Sequence, residues 1–131
     1  MNKQGYADRV SEARRDAEQN PTSEKRRWLA SSLGSLGNYV ASEESNYAEA
    51  IRLHQEARNI YHSIGAYDGE AQACFNLGAT YEVGLHDKKS AWNYIKQAME
   101  LAIDERLRAK YEPHYMRLKS IGKMEGWVTN D

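Results

Sequence analysis

The sequence predicts an all-α fold, a short α-solenoid of antiparallel helical hairpins with about six helices. Three observations carry that reading. Only two prolines, Pro21 and Pro113, interrupt a chain dominated by Ala, Glu, Lys, Arg, Gln and Leu, so nearly every window favours helix over strand. A Leu-Gly pair occurs twice, Leu36-Gly37 and Leu77-Gly78, each followed thirteen residues later by an alanine (Ala50, Ala91) and seven further on by a second (Ala57, Ala98). A single spacing of 41 residues relates all three positions, which marks a helical-hairpin repeat. Finally, the segments between periodic stretches are about two to five residues long, so consecutive helices must lie antiparallel as neighbours.

The elements follow in order. Tyr6, Val10, Ala13 and Ala17, at helical spacing, place a first helix at about Gln4 to Glu18 within residues 4–20, and Asn20-Pro21 stops it. Thr22-Ser23 supplies an N-cap for the second, with Glu24 in its first turn and Trp28, Leu29, Leu33, Leu36 and Val40 along one stripe; it ends in the run SEES. Asn46 or Ser45 caps a third helix carrying Tyr47, Ala50, Ile51, His54, Ala57, Ile60, Tyr61 and Ile64, and Gly65 terminates it. These two helices make a first repeat, residues 24–64. Asp68 starts the fourth helix, whose inner face holds Ala71, Cys74, Leu77, Gly78 and Tyr81, with Gly84 near its end. Asp87 caps the fifth, with Ala91, Tyr94, Ile95, Ala98, Met99, Leu101 and Ala102 in its stripe, completing a second repeat over 68–104. A last helix, about Glu105 to Ile121 within 105–122, is either opened or kinked by Pro113, and residues 123–131 read as a frayed tail.

Glycine inside a helix costs about 1 kcal/mol relative to alanine, so Gly37 and Gly78 in the middle of apolar stripes need a reason. Close approach of the following helix near Ala50 and Ala91 supplies it. A third copy of the pattern needs glycine at position 119, where Lys119 stands. A lysine there cannot accept another packed helix without burying its ammonium, which costs several kcal/mol. The final helix therefore reads as a solvating cap, and the first helix caps the other end.

Composition bounds the class. The 131 residues fit one domain, 1–131, and a chain of that size buries about two-thirds of its unfolded surface. Eighteen Lys and Arg balance nineteen Asp and Glu, which gives no argument for a nucleic-acid or acidic-membrane partner. The lone Cys74 excludes an intramolecular disulfide and clustered Cys/His metal sites. No stretch approaches the roughly 18 apolar residues of a membrane span, and the N-terminus lacks the apolar run of a signal peptide. The expectation is a soluble, cytoplasmic protein that binds neither nucleic acid nor membrane.

The segment Phe75 to Ala102, through Leu77-Gly78, Tyr81, Ala91 and Ala98, resembles a tetratricopeptide repeat. The segment Leu33 to Ile64 resembles it through Leu36-Gly37, Tyr47, Ala50 and Ala57, with Val40 in place of the usual aromatic. The 41-residue spacing is similar to the longer-helix variant of Leu-Gly-Asn polarity scaffolds and kinesin light chains, and Leu36-Gly37-Asn38 spells that signature. The resemblance implies a concave groove, lined by the first helix of each hairpin, that holds a peptide. Carried across, its positions are Ser31, Ser35, Asn38 and Ser42; then Gln72, Phe75, Asn76, Ala79 and Glu82; and from the last helix Met116, Arg117 and Ser120. Amides there satisfy a peptide backbone and Phe75 seats an apolar anchor. The basic positions by which the family grips chaperone C-terminal tails hold Gly34, Ser42, Phe75 and Val83, so that role is not expected.

Other chemistry finds no support in the sequence. His54, His62, His86 and His114 sit at no metal-ligand spacing, and His54 takes the place that Ile95 holds in the next copy, which suits a packed core histidine. No phosphate loop, nucleophile elbow or opposed carboxylate pair is visible, and Cys74 lies on a buried stripe. The basic runs Arg14-Arg15 and Lys25-Arg26-Arg27, and the acidic excess of residues 31–70, read as solvated charge or a docking polarity. The expectation is a non-catalytic adaptor or scaffold, without metal or cofactor, that binds a peptide segment of a protein partner in its groove. The alternative is a homo-oligomeric assembly protein or a regulatory subunit using its terminal helices, with Tyr6, Trp92, Tyr94 and Trp127 as interface aromatics.

Overall fold

The computed structural model describes residues 1–129, and six α-helices with no strand make up their regular structure. They are α1 (Lys3–Gln19), α2 (Ser23–Glu44), α3 (Tyr47–Ser63), α4 (Tyr67–Ala79), α5 (Lys88–Leu101) and α6 (Glu105–Glu125), and a π-helical turn, Thr80–Gly84, continues α4. Each helix packs against the one before and after it, so the chain is an array of hairpins.

Short polar side chains start five of the helices. The side-chain oxygens of Asn2, Thr22, Asn46, Asp87 and Asp104 accept from the backbone N–H of Gly5, Lys25, Glu49, Ser90 and Arg106, satisfying donors that a helix start leaves free. Asn46 is therefore the cap of α3, while Ser45 closes α2 in the left-handed conformation at φ 51°. The N-cap of α4 is Ala66, which offers no side-chain acceptor. Asp68 sits in the first turn instead and pairs with Arg27 across to α2.

The helices form two layers tied by polar contacts about one repeat apart. In one layer, Arg14 of α1 grips Glu56 of α3 at 2.7 and 3.2 Å, and Gln55 and Arg58 of α3 donate to Tyr94 Oη and Gln97 Oε1 of α5 at 2.7 and 2.8 Å. In the other, Arg27 of α2 meets Asp68 of α4 at 3.3 Å, and Lys110 and Tyr111 of α6 donate to Gln72 Oε1 of α4 at 3.0 and 3.2 Å. The basic runs thus serve to knit helices: Lys25 also lies 3.8 Å from Asp16, and Arg26 donates to Ser63 Oγ at 2.6 Å. Of the six acids in residues 31–70, Glu44, Glu56, Asp68 and Glu70 meet Lys3, Arg14, Arg27 and His62 of other helices, and Glu49 pairs with Arg52 within α3.

Between the layers lies the core. Val10, Ala13, Ala17, Leu29, Ala30, Leu33, Leu36, Val40, Ala50, Leu53 and Ala57 fill the α1–α3 half. Ala71, Cys74, Ala98, Ala102 and Tyr111, then Ala91, Trp92, Ile95 and Leu118, fill the α4–α6 half. Trp28, expected in the α2 stripe, is 38 % exposed instead, because its position lies at the edge of the buried arc.

The two interior glycines are close-contact points, with a change of partner. A Cβ on Gly78 would stand 2.7 Å from Ile95 Cδ1 and 3.3 Å from the Ala91 carbonyl oxygen. On Gly37 it would meet the ring of His54, 2.8 Å from Nε2, rather than Ala50. His54 and Ile95 are equivalent in the 41-residue spacing, so one large side chain, four residues after the small one, fills the notch in both copies.

Three other expectations change. The fourth helix passes from α to π geometry at Thr80, whose Oγ1 donates to the Asn76 carbonyl at 2.7 Å alongside its own backbone N–H. Of the two roles read for Pro113, opening the last helix is excluded, since it lies inside α6. The residues read as a frayed tail are in part ordered: α6 runs to Glu125, Gly126 closes it at φ 88°, and the N–H groups of Gly126, Trp127 and Val128 all bond to the Gly122 carbonyl at 2.8, 2.9 and 3.1 Å. Trp127 and Val128 then fold onto bare Gly122 and join the Trp92–Leu118 cluster. Residues 130 and 131 of that segment lie outside the described residues.

Candidate functional site

The layer made by α2, α4 and α6 carries three recesses in a row. The first, of about 220 Å3, opens between α2 and α4, lined by Ala30, Ser31, Gly34, Ser35 and Asn38 on one side and Gln72, Ala73 and Asn76 on the other, with His54, Ala57 and Tyr61 of α3 beneath. The second, about 510 Å3, is bounded by Asn38, Ala41, Ser42, Ser45, Tyr47, Asn76, Ala79, Thr80, Val83 and Gly84. The third, about 380 Å3, lies toward α6, between Phe75, Ala79, Glu82, Val83, His86, Ile95, His114 and Arg117. Asn38 and Asn76 border the first two, and Ala79 and Val83 border the second and third. The three recesses therefore adjoin one another along this layer.

Ten of the twelve residues carried over from the repeat pattern line them: Ser31, Ser35, Asn38, Ser42, Gln72, Phe75, Asn76, Ala79, Glu82 and Arg117. Met116 and Ser120 are exposed on α6 and border none of the three recesses. The reason is register, since α6 approaches α4 through Lys110, Tyr111, His114 and Arg117.

Their freedom to bind differs. The Asn38 carboxamide is exposed and makes no hydrogen bond among the described residues. The Gln72 carboxamide is committed: its Nε2 donates to Asn76 Oδ1 at 3.1 Å and its Oε1 accepts from both Lys110 and Tyr111. That leaves Asn76 its amide N–H2 as a donor. Phe75 is half-buried, stacked on Tyr111 at 4.9 Å and met edge-on by His114 at 5.1 Å, so only part of its ring faces the groove. Arg117 clasps Glu82 through both carboxylate oxygens, Nη2 to Oε1 at 2.7 Å. That hydrogen-bonded cation holds the Glu82 carboxyl below the usual carboxylate range.

The π-turn shapes the second recess. π geometry is rare and needs local compensation; here it turns Val83 outward, 71 % exposed, and lays Gly84 against the ring of Tyr47. Val83 is an apolar side chain standing free on the groove wall.

Sequence reasoning missed the groove residues contributed by other elements, Tyr47, Tyr61, His86 and His114, because a pattern matched to the first helix of each hairpin says nothing of what lies beneath it. His54 was expected in the core and is there, 1 % exposed. What the spacing did not reveal is that neither of its ring nitrogens has a hydrogen-bond partner among the described residues. Burial lowers its pKa from 6.5 to about 4, so the ring is neutral at neutral pH.

Cys74 is fully buried, and burial pushes its thiol above the usual value. Of the aromatics read for an interface, Trp92 is buried against Tyr115, while the half-buried Tyr94 stacks on Tyr81, Tyr6 packs on Tyr39 and Trp127 covers Gly122. No helix among the described residues is long and apolar enough to cross a membrane.

The fold defines an all-helical hairpin array with three adjoining recesses along one layer, the first more polar and the other two more apolar. Compared with known proteins, the chain matches no family model, no curated protein and no solved structure.

Proposed function

We propose that this protein is a non-catalytic interaction module, similar to tetratricopeptide-repeat adaptors, that binds an extended segment of a partner protein in the groove of α2, α4 and α6. The observation that supports it is the adjacency of the three recesses through Asn38, Asn76 and Ala79. Their walls combine unpaired amide donors and acceptors, suited to peptide backbone, with an apolar foothold at Val83 and the exposed part of Phe75. The alternating-layer ties hold α2, α4 and α6 at fixed spacing, so the groove exists before the partner arrives, which limits the entropy lost on binding.

Selection of a random nonapeptide display library on the full chain tests this. Enriched peptides should perturb the backbone amide resonances of Asn38, Asn76 and Ala79, and should bind the Asn38→Ala/Asn76→Ala variant more weakly. Peptides that bind both forms alike use another surface, and the assembly role through the terminal helices then takes precedence.

A further inference from the structure

The outer side of α6 is a helix face with apolar residues and no cover. Ala109, Pro113, Met116, Ser120 and Met124 recur at intervals of four, three, four and four residues, so they form one stripe along the helix. All five are exposed, Met116 at 52 % and Met124 at 86 %, while Tyr111 and Leu118 on the opposite side are buried. Being last in the array, α6 packs back on α5, and no helix among the described residues lies over the stripe. Met116 and Ser120, expected in the groove but bordering no recess, belong to it. Glu112 and Lys123 flank it on one edge; both are exposed and enter none of the ion pairs among the described residues. The other cations nearby are engaged: Arg117 clasps Glu82, Lys119 lies over the Tyr115 ring and Lys110 donates to Gln72.

We propose that this face docks a second copy of the chain, α6 against α6 in antiparallel orientation, to give a two-fold dimer. Charge complementarity selects that occupant. Glu112 and Lys123 stand eleven residues apart, about 16 Å along the helix and close to three full turns, so they share an edge. A two-fold axis midway between them, beside residues 117 and 118, sets each Glu112 opposite Lys123 of the second copy. The same axis sets Met116 against Ser120 and Pro113 against Met124, large beside small, as a self-complementary patch requires. A parallel pair would set Glu112 on Glu112 and Lys123 on Lys123, which like charge disfavours. Head-to-tail stacking fits no better, because the exposed positions on the outer face of α1 are polar: Gln4, Asp8, Ser11, Glu12 and Arg15. One helix pair buries less than the roughly 1,600 Å2 of a standard interface, so the dimer should dissociate in the micromolar range. The stripe borders none of the three recesses, and the inference stands apart from the groove reading.

Sedimentation equilibrium of the full chain at low ionic strength, over about 10–500 µM, provides the test. The apparent mass should rise with concentration from that of one chain toward that of two. Glu112→Lys sets lysine against lysine and Lys123→Glu sets glutamate against glutamate, twice in each dimer, so either variant alone should weaken association about tenfold or more. An equimolar mixture of the two variants should recover it, because each chain then meets its opposite at both contacts. Met116→Glu puts a carboxylate in the middle of the stripe and should weaken association by a similar factor. All three positions are exposed, so thermal melting at low protein concentration should match the parent. A parent that stays a single chain at the highest concentration overturns the proposal. So does a dimer that all three variants leave intact, since its contact lies on another surface. A mixture that associates no more tightly than either variant alone overturns the antiparallel pairing on which the proposal stands.

Discussion

The imidazole of His54 occupies the space that the missing side chain of Gly37 leaves, with Nε2 only 2.8 Å from where a Cβ would stand. Forty-one residues on, Ile95 does the same for Gly78. Adding a methyl at Gly37 should overpack the contact and destabilise the protein by about 1–3 kcal/mol. In a His54→Ala background the penalty should shrink, because the ring that blocks it is gone. A double-mutant cycle in urea reads the coupling directly; additive effects would show that the two residues do not share the space.

At Gly78 the obstruction includes backbone. The Ala91 carbonyl oxygen lies 3.3 Å from the Cβ position and Ile95 closes the other side, so repacking of side chains alone cannot make room. Gly78→Leu should cost roughly 1–3 kcal/mol or more. An unchanged denaturation midpoint would remove the close-packing role assigned to this glycine.

His54 also sets a pH dependence. Its folded pKa of about 4 lies below the ordinary 6.5, so between these values the unfolded chain binds the proton more readily than the folded one, and stability rises with pH. The protein should hold full stability from this source above pH 6.5 and lose on the order of 3 kcal/mol as pH falls toward 4, with no further change below. His54→Ile should flatten that part of the curve. Urea midpoints across pH 4 to 7 for both proteins are the measurement.

The folded-back end of α6 contributes to stability. Trp127 is half-buried on Gly122 and beside the Trp92–Leu118 cluster, and full burial of a large apolar side chain stabilises by about 1.5–3 kcal/mol. A chain ending at Glu125 should therefore lose about 1–2 kcal/mol in urea denaturation. A frayed tail predicts no loss.

Binding and folding should separate at the groove. Asn38 is exposed, so Asn38→Ala should leave melting unchanged and cost a bound peptide on the order of 1 kcal/mol. Asn76→Ala also releases the Gln72 amide that donates to it. It should therefore weaken binding by a similar amount, on the order of 1 kcal/mol, and loosen the tie between α4 and α6. Calorimetric titration of a selected peptide, alongside thermal melts, distinguishes the two effects.

The sequence by itself determined the helices and their order. Their apolar stripes, the caps at Thr22, Asn46 and Asp87 and the breaks at Pro21 and Gly65 are local signals, and the physics behind them acts within a few residues. The 41-residue spacing marked both the notch residues Gly37 and Gly78 and the equivalence of His54 with Ile95, since close packing restricts residue size at regular intervals. The groove residues came instead from the resemblance to a known helical repeat, and most of them fall on one layer. Only the tertiary structure decided their chemical state. Gln72 is spent on Lys110 and Tyr111, because the register of α6 on α4 depends on long-range contacts that no local pattern encodes. The same holds for Trp127, which packs only because Gly122 leaves a bare patch within reach. It holds above all for His54, whose burial is periodic but whose want of a hydrogen-bond partner depends on three helices meeting around it.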